Sequence, residues 1–277
     1  MADASAARFA FGEFRIGAVL TRTWLVFWRN ILKFSVVSGI AALPTPLLPR
    51  PGADDLFANQ QLIFLRLAVI LLFNMLAQAI IFYCAFQDMR GRPINMGESL
   101  KLSVARFFPL IGLGLIVVLV MVGLVVIVSL LLFAVAGNGA TALVAIPFVI
   151  LLVILFTLLF LIWSMATPVC VVERAGPFRS LGRSRELTKG YRWKILGLLA
   201  LVIIPGLVAG VIVGAIAGAV AVLAPAGGAS FAVSQGIGLI WNALWFGFVA
   251  VIVAVAYHDL RVAKEGVDID QIAAVFE

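Results

Sequence analysis

Phe178 to Lys194 reads FRSLGRSRELTKGYRWK, and Ile195 to Val220 continues as ILGLLALVIIPGLVAGVIVGAIAGAV. Wound as a helix, the first part puts Ser180, Leu181, Ser184, Leu187, Thr188 and Tyr191 on one face, following the 3.6-residue period. Arg179, Arg183, Arg185, Glu186 and Lys189 fall on the other. A helix of this kind lies in the plane of a membrane surface, its cations among lipid phosphates. The second part is apolar throughout and long enough to cross a hydrocarbon core about 30 Å thick. Together they predict an interfacial elbow followed by a span.

The rest of the chain repeats this arrangement. It is 64% hydrophobic and 12% charged, with a mean hydropathy of +1.18, whereas charged residues make up about a quarter of soluble domains. The expected fold is an all-α integral membrane protein of six transmembrane helices, with amphipathic elbow helices before spans 1, 3 and 5. The spans fall near 31–48, 62–86, 110–136, 142–167, 195–223 and 231–257. They group into three elbow-plus-hairpin units, about 14–86, 95–167 and 178–257, in one membrane domain. Residues 1–13 read as a flexible N-terminal arm and 258–277 as a polar tail. No cleavable signal is expected, because the first apolar run follows a basic arm.

Residues 14–30 form the first elbow, with an apolar face of Ile16, Leu20, Thr23, Trp24 and Phe27 and a basic stripe of Arg15, Arg22 and Arg29. The second elbow spans 95–108. Its face of Met96, Leu100, Ser103, Val104 and Phe107 matches the first at a constant spacing without gaps, as an internal repeat does. Asn95 and Glu98 form a capping-box pattern there. The third elbow shares the pattern alone. Pro44 and Pro46 should unwind the far end of the first span, and Pro147 should kink the fourth. A tight turn is expected at Gly137-Asn138-Gly139, and a short one over 224–230.

The charge pattern sets an orientation. Of 20 lysines and arginines, only Arg50 and Arg66 fall on the side opposite the elbows. The positive-inside rule therefore places the elbows and both termini in the cytoplasm of a bacterial inner membrane. The same placement absorbs the net charge of +7 and argues against a nucleic-acid partner. Cys84 and Cys170 make no disulfide framework.

Two stretches carry a resemblance. Pro168-Val-Cys-Val-Val-Glu173 leads into Gly176-Pro-Phe-Arg-Ser-Leu-Gly-Arg-Ser-Arg-Glu-Leu-Thr-Lys-Gly190 and Trp193-Lys-Ile-Leu196. Tyr257-His-Asp-Leu-Arg261 is followed by Lys264-Glu-Gly266 and Asp268. Together they resemble the membrane-domain family of glycerophosphoryl diester phosphodiesterases. That resemblance implies six spans with amphipathic segments before the odd ones. Some members join this domain to a catalytic barrel, and others stand alone without an established activity. The spans here leave no stretch for a barrel, and one histidine does not make its metal site. The resemblance thus implies a membrane module that is not an enzyme, with no catalytic residue, metal or cofactor.

The candidate residues are of three kinds. Arg15, Arg22, Arg29, Lys101, Arg106, Arg179, Arg183, Arg185 and Lys189 are placed to meet lipid headgroups. Gly206, Gly210, Gly214 and Gly218 recur every four residues on the fifth span, a strip that permits close helix approach. Asn74 and Gln78 on the second span, and Gln235 and Asn242 on the sixth, tie helices together or line a polar path. His258 beside Asp259 reads as an interfacial polar residue, since no nucleophile or metal cluster accompanies a proton shuttle. No acid or base sits mid-span, which weighs against a pump. The leading function is a non-enzymatic module that binds lipid headgroups and packs with membrane partners or itself. The alternative is a small-molecule or lipid transporter, with those amides facing a cavity between spans 2 and 6.

Overall fold

The computed structural model describes residues 14–48, 60–136, 142–223 and 228–266. The expected N-terminal arm, the Gly137-Asn138-Gly139 turn and most of the tail lie outside these residues, as do the loop after the first span and most of the turn after the fifth. Among the described residues the regular structure is helical throughout. The helices are α1 (Ile16–Arg29), α2 (Ile31–Ala42), α3 (Pro44–Leu47), α4 (Gln60–Met89), α5 (Met96–Ala105), α6 (Phe107–Ala136), α7 (Ala142–Trp163), α8 (Ala166–Val172), α9 (Pro177–Thr188), α10 (Arg192–Leu223) and α11 (Gly228–Glu265).

Five stretches are long and apolar enough to cross a membrane: α4, most of α6, α7 with α8, α10 and most of α11. A sixth comes from the bent pair of α1 with α2 and α3, which turns by 84° at Asn30. The protein is an all-α, multi-pass membrane protein, with α1, α5 and α9 as its elbows. Apolarity around the whole circumference is what lipid demands of a span.

The helix ends differ from the sequence expectation in instructive ways. The first span breaks at Leu43, where Pro44 and Pro46 follow. Arg66 of α4 donates from Nη2 to the Thr45 carbonyl at 2.8 Å and from Nη1 to that of Leu48 at 3.3 Å. A cation thus satisfies carbonyls at the end of the helical segment, where intrahelical partners run out. The residues after Pro168, read as a connector, continue as helix to Val172. The helix of the sixth span also runs on to Glu265, so His258 to Glu265 are helical.

The chain divides into two compact units, one of Met1–Ala105 with Trp193–Glu277 and one of Arg106–Arg192. These are not the sequence repeats. In the first unit α2 packs on α11 and α4, α1 on α11, and α5 on α4. Its core holds Phe34, Ile81, Phe82, Val251, Val255 and Tyr257. The α2–α11 crossing is close: a Cβ added at Gly247 would stand 3.1 Å from Ser38 Oγ, and one at Gly39 would stand 3.7 Å from Ala243. In the second unit α6 packs on α7, α8 and α9, around Leu110, Leu113, Leu161, Met165 and Val169. Each elbow therefore rests on the end of a returning helix: α1 on α11, α5 on α4 and α9 on α8.

Candidate functional site

An elbow has two apolar requirements, because one face meets protein and another meets lipid. The structure separates them. In α1 the buried residues are Val19, Thr23, Val26 and Phe27. Of the apolar face read from the sequence, Trp24 is 56% exposed, while Ile16 and Leu20 are half-buried. In α5 only Ser99 and Ser103 are buried, and the expected Leu100 and Val104 are exposed. In α9 Ser180, Ser184, Leu187 and Thr188 are buried, as its pattern predicts. The exposed apolar residues of the first two have one cause. Large apolar side chains at a membrane boundary lose nothing by facing lipid, whereas a helix crossing at close range needs small residues.

The buried positions bring the third elbow into the repeat. Val19, Ser99 and Ser180 correspond, as do Thr23, Ser103 and Ser184. Ser99 Oγ and Ser103 Oγ donate to the carbonyls of Asn95 and Ser99, at 2.9 and 2.7 Å. Ser180 Oγ does the same to Gly176 at 2.9 Å. Ser184 has a further task. It donates to the Ile162 carbonyl at 2.6 Å and accepts from the Met165 amide at 3.2 Å, supplying partners at the break between α7 and α8. Beneath the first serine of each later elbow lies a buried cysteine. Cys84 Sγ is 3.4 Å from Ser99 Oγ, and Cys170 Sγ lies 3.6 Å from the Ala175 carbonyl next to Ser180.

Three residues past each cysteine the returning helix presents a polar side chain to the elbow: Gln87 after Cys84, and Glu173 after Cys170. Asp259 takes this place on α11, three residues after the buried Ala256. Arg22 of α1 pairs with Asp259 at 2.5 Å. Arg183, at the equivalent position of α9, pairs with Glu173 at 3.2 Å and with Glu186 at 3.5 Å. His258 joins the first pair, its Nδ1 being 3.0 Å from Asp259 Oδ1 and 3.3 Å from Arg22 Nη1. It is buried. Two of the proposed headgroup cations are thus occupied by internal acids.

Arg29 is a third. Its Nε donates to Asp88 Oδ1 at 3.0 Å and its Nη2 to Oδ2 at 2.5 Å, while Asn30 Nδ2 donates to Oδ1 at 2.8 Å. The hydrogen bond to Asp88, and then the carboxylate's charge, push the guanidinium further above its ordinary value. This fork pins the corner between α1 and α2 to the end of α4. Of the other cations, Arg15, Lys101, Arg179, Arg185 and Lys189 are exposed, and Arg106 is half-buried at the break between α5 and α6.

At the second elbow both latch positions are changed. Leu102 stands where Arg22 and Arg183 stand, and Gln87 stands where the acids stand. A cavity of about 310 Å³ opens there, lined by Tyr83, Phe86, Gln87, Arg90, Arg92, Pro93, Asn95, Glu98 and Leu102. Its floor is built by a helix stop. Gly91 has φ +69°, its amide donates to the Asp88 carbonyl at 2.9 Å, and the Arg92 amide donates to that of Gln87 at 3.0 Å. This is a Schellman ending, which glycine adopts without a Cβ penalty. Asn95 Oδ1 then caps α5 by accepting from the Glu98 amide at 3.2 Å, and Gln87 Oε1 accepts from the Asn95 amide at 2.9 Å. An apolar groove of about 380 Å³, with Ile40, Phe73, Met96 and Leu100 among its walls, lies between α2, α4 and α5.

The glycine strip divides in two. A Cβ at Gly206 would fall 1.9 Å from the Trp245 ring, and one at Gly210 would fall 3.4 Å from Trp241 Nε1. The two indoles stack at 5.8 Å. Around Gly214 and Gly218 no described atom comes within 4 Å of an added Cβ. Asn74 donates to the Ile70 carbonyl of its own helix at 2.7 Å, Asn242 is exposed, Gln78 and Gln235 are half-buried, and neither cavity above is lined by any of them. Among the described residues no three His, Cys, Asp or Glu side chains gather as a metal site would require. The pairing of elbow and returning helix was absent from the sequence reading. The sequence carries only a common three-residue spacing from a small buried residue to a polar one, Cys84 to Gln87, Cys170 to Glu173 and Ala256 to Asp259, which needed the packing to give it meaning.

Comparison with known proteins gives one family. The model of a domain of unknown function, DUF7847, matches residues 97–260. The match covers more than half of the chain, from α5 into the last turns of α11, and the protein belongs to that family. No curated protein matches, and no solved structure does.

Proposed function

We propose that this protein is a non-enzymatic, multi-pass module of the bacterial inner membrane that holds lipid headgroups along its elbows and packs with membrane partners or itself. Its termini are placed in the cytoplasm by the distribution of basic residues. The observation that carries the reading is the division of labour on α9. Ser180, Ser184, Leu187 and Thr188 are turned to protein, and Arg179, Arg185 and Lys189 are left exposed. Each such cation near an anionic surface contributes about 1 kcal/mol, screened by salt. The spans of α6 and of α7 with α8 each have only 6% of their apolar window buried, which leaves broad surface for lipid or a neighbouring protein.

The test uses the tryptophans. Trp24, Trp28 and Trp193 are exposed at elbow level, so brominated lipids in reconstituted bilayers should quench them. Brominated anionic lipid should quench more than brominated zwitterionic lipid at equal content, and salt should reduce the difference. Replacing Arg179, Arg185 and Lys189 by glutamine should reduce it as well. Equal quenching by both lipids at low salt would remove the headgroup role.

A further inference from the structure

We infer that the cavity at the second elbow is a binding site for a phosphate group, filled where the other two elbows close on themselves. The inference rests on reading the protein as a headgroup-binding module and names one place where a headgroup is held. Three observations converge. The first is position: α1 and α9 fill the equivalent place with Arg22–Asp259 and Arg183–Glu173, and α5 has neither partner. The second is chemistry: Arg90 and Arg92, thrown to either side of Gly91 by the helix stop, both line the cavity. Guanidinium groups match phosphate oxygens in geometry as well as charge. Gln87 and Asn95 add amide groups, and the first turn of α5 adds its positive end. The third is size and setting: about 310 Å³ at the end of a span accommodates a small ligand, with Tyr83, Phe86 and Leu102 as the apolar wall. Glu98 is the one acid among the lining residues, so its charge opposes the ligand.

A phosphate group reaches such a site on a phospholipid or as a free ion, and the test separates the two. The full chain in detergent is titrated by calorimetry with dihexanoyl phosphatidylglycerol and, separately, with inorganic phosphate. Saturable binding of at least one is expected. Binding of the lipid alone assigns a headgroup site, and equal binding of both assigns a site for the free anion. Arg90→Gln with Arg92→Gln should weaken binding by roughly tenfold or more, the worth of losing charge-assisted hydrogen bonds. Glu98→Gln should tighten it. Gln87→Glu with Leu102→Arg copies the closed elbows and should abolish binding while the protein still unfolds cooperatively. Should that variant fail to fold, the arginine pair still decides. No binding to the parent, or binding unchanged by the arginine pair, overturns the inference. The α9 triple variant Arg179→Gln, Arg185→Gln, Lys189→Gln should leave this binding intact. If it abolishes binding while the cavity variants do not, the cavity assignment falls and the elbow reading stands.

Discussion

Elbows α1 and α9 each set an arginine on a carboxylate at the end of a returning helix, Arg22 on Asp259 and Arg183 on Glu173. Elbow α5 meets its returning helix with Leu102 near Gln87, and a cavity takes the place of the ion pair. The helices are of one kind, related by repeat, and two buried positions coincide in all three: Val19, Ser99 and Ser180, and Thr23, Ser103 and Ser184. The difference is therefore not a matter of fold. One pair of changes turns a self-satisfied contact into an open polar cavity, while the surrounding helix crossing is kept by Ser99, Ser103 and Cys84. The acid of α4 stands one residue further on: Asp88 holds Arg29 and Asn30. The same contrast between filled and open positions recurs along α10, where Gly206 is closed by Trp245 and Gly214 meets nothing.

The largest expected effect tests that last contrast. Gly206→Leu drives a side chain into the stacked indoles and should destabilise by about 3 kcal/mol or prevent folding. Gly214→Leu should stay within about 0.5 kcal/mol. Thermal unfolding in detergent compares the two, and equal losses would mean that Gly214 is covered by a second molecule.

Next comes the displaced acid. Asp88→Ala strips the fork from Arg29 and leaves buried Asn30 with a single weak acceptor, the Val26 carbonyl at 3.4 Å. A loss of about 2 kcal/mol is expected, with faster amide exchange at the corner of α1 and α2. An unchanged unfolding temperature would show that the bend is set by the spans alone.

Asp259→Ala and Glu173→Ala open the closed elbows. Both arginine partners are partly exposed, so solvent screening limits the loss to about 1 kcal/mol each. Exchange should rise in α1 for the first and in α9 for the second. Lys101→Ala on the open elbow should be neutral. The smallest effect is the reverse change. Gln87→Glu with Leu102→Arg should raise stability by about 0.5 kcal/mol, and a clear loss would mean that the cavity cannot accept the pair that its counterparts carry.

The amino-acid sequence alone determined the class, the approximate spans and the three elbows. These depend on apolar length and on the 3.6-residue spacing of charge, which are local and survive any arrangement of helices. It also located the proline break of the first span and the cap at Asn95. Which elbow face meets protein was not legible, because in a membrane an apolar side chain is equally content against lipid. The apolar pattern of α5 therefore singled out Leu100, which is exposed, and passed over Ser99, which is buried. Pairing was equally hidden. Arg22 and Asp259 are at opposite ends of the chain, and only the packing of α11 on α1 turns two surface charges into one contact. Gly206 and Gly214 are indistinguishable by spacing, and the neighbours that separate them, Trp245 for one and open space for the other, exist only once α10 and α11 have met.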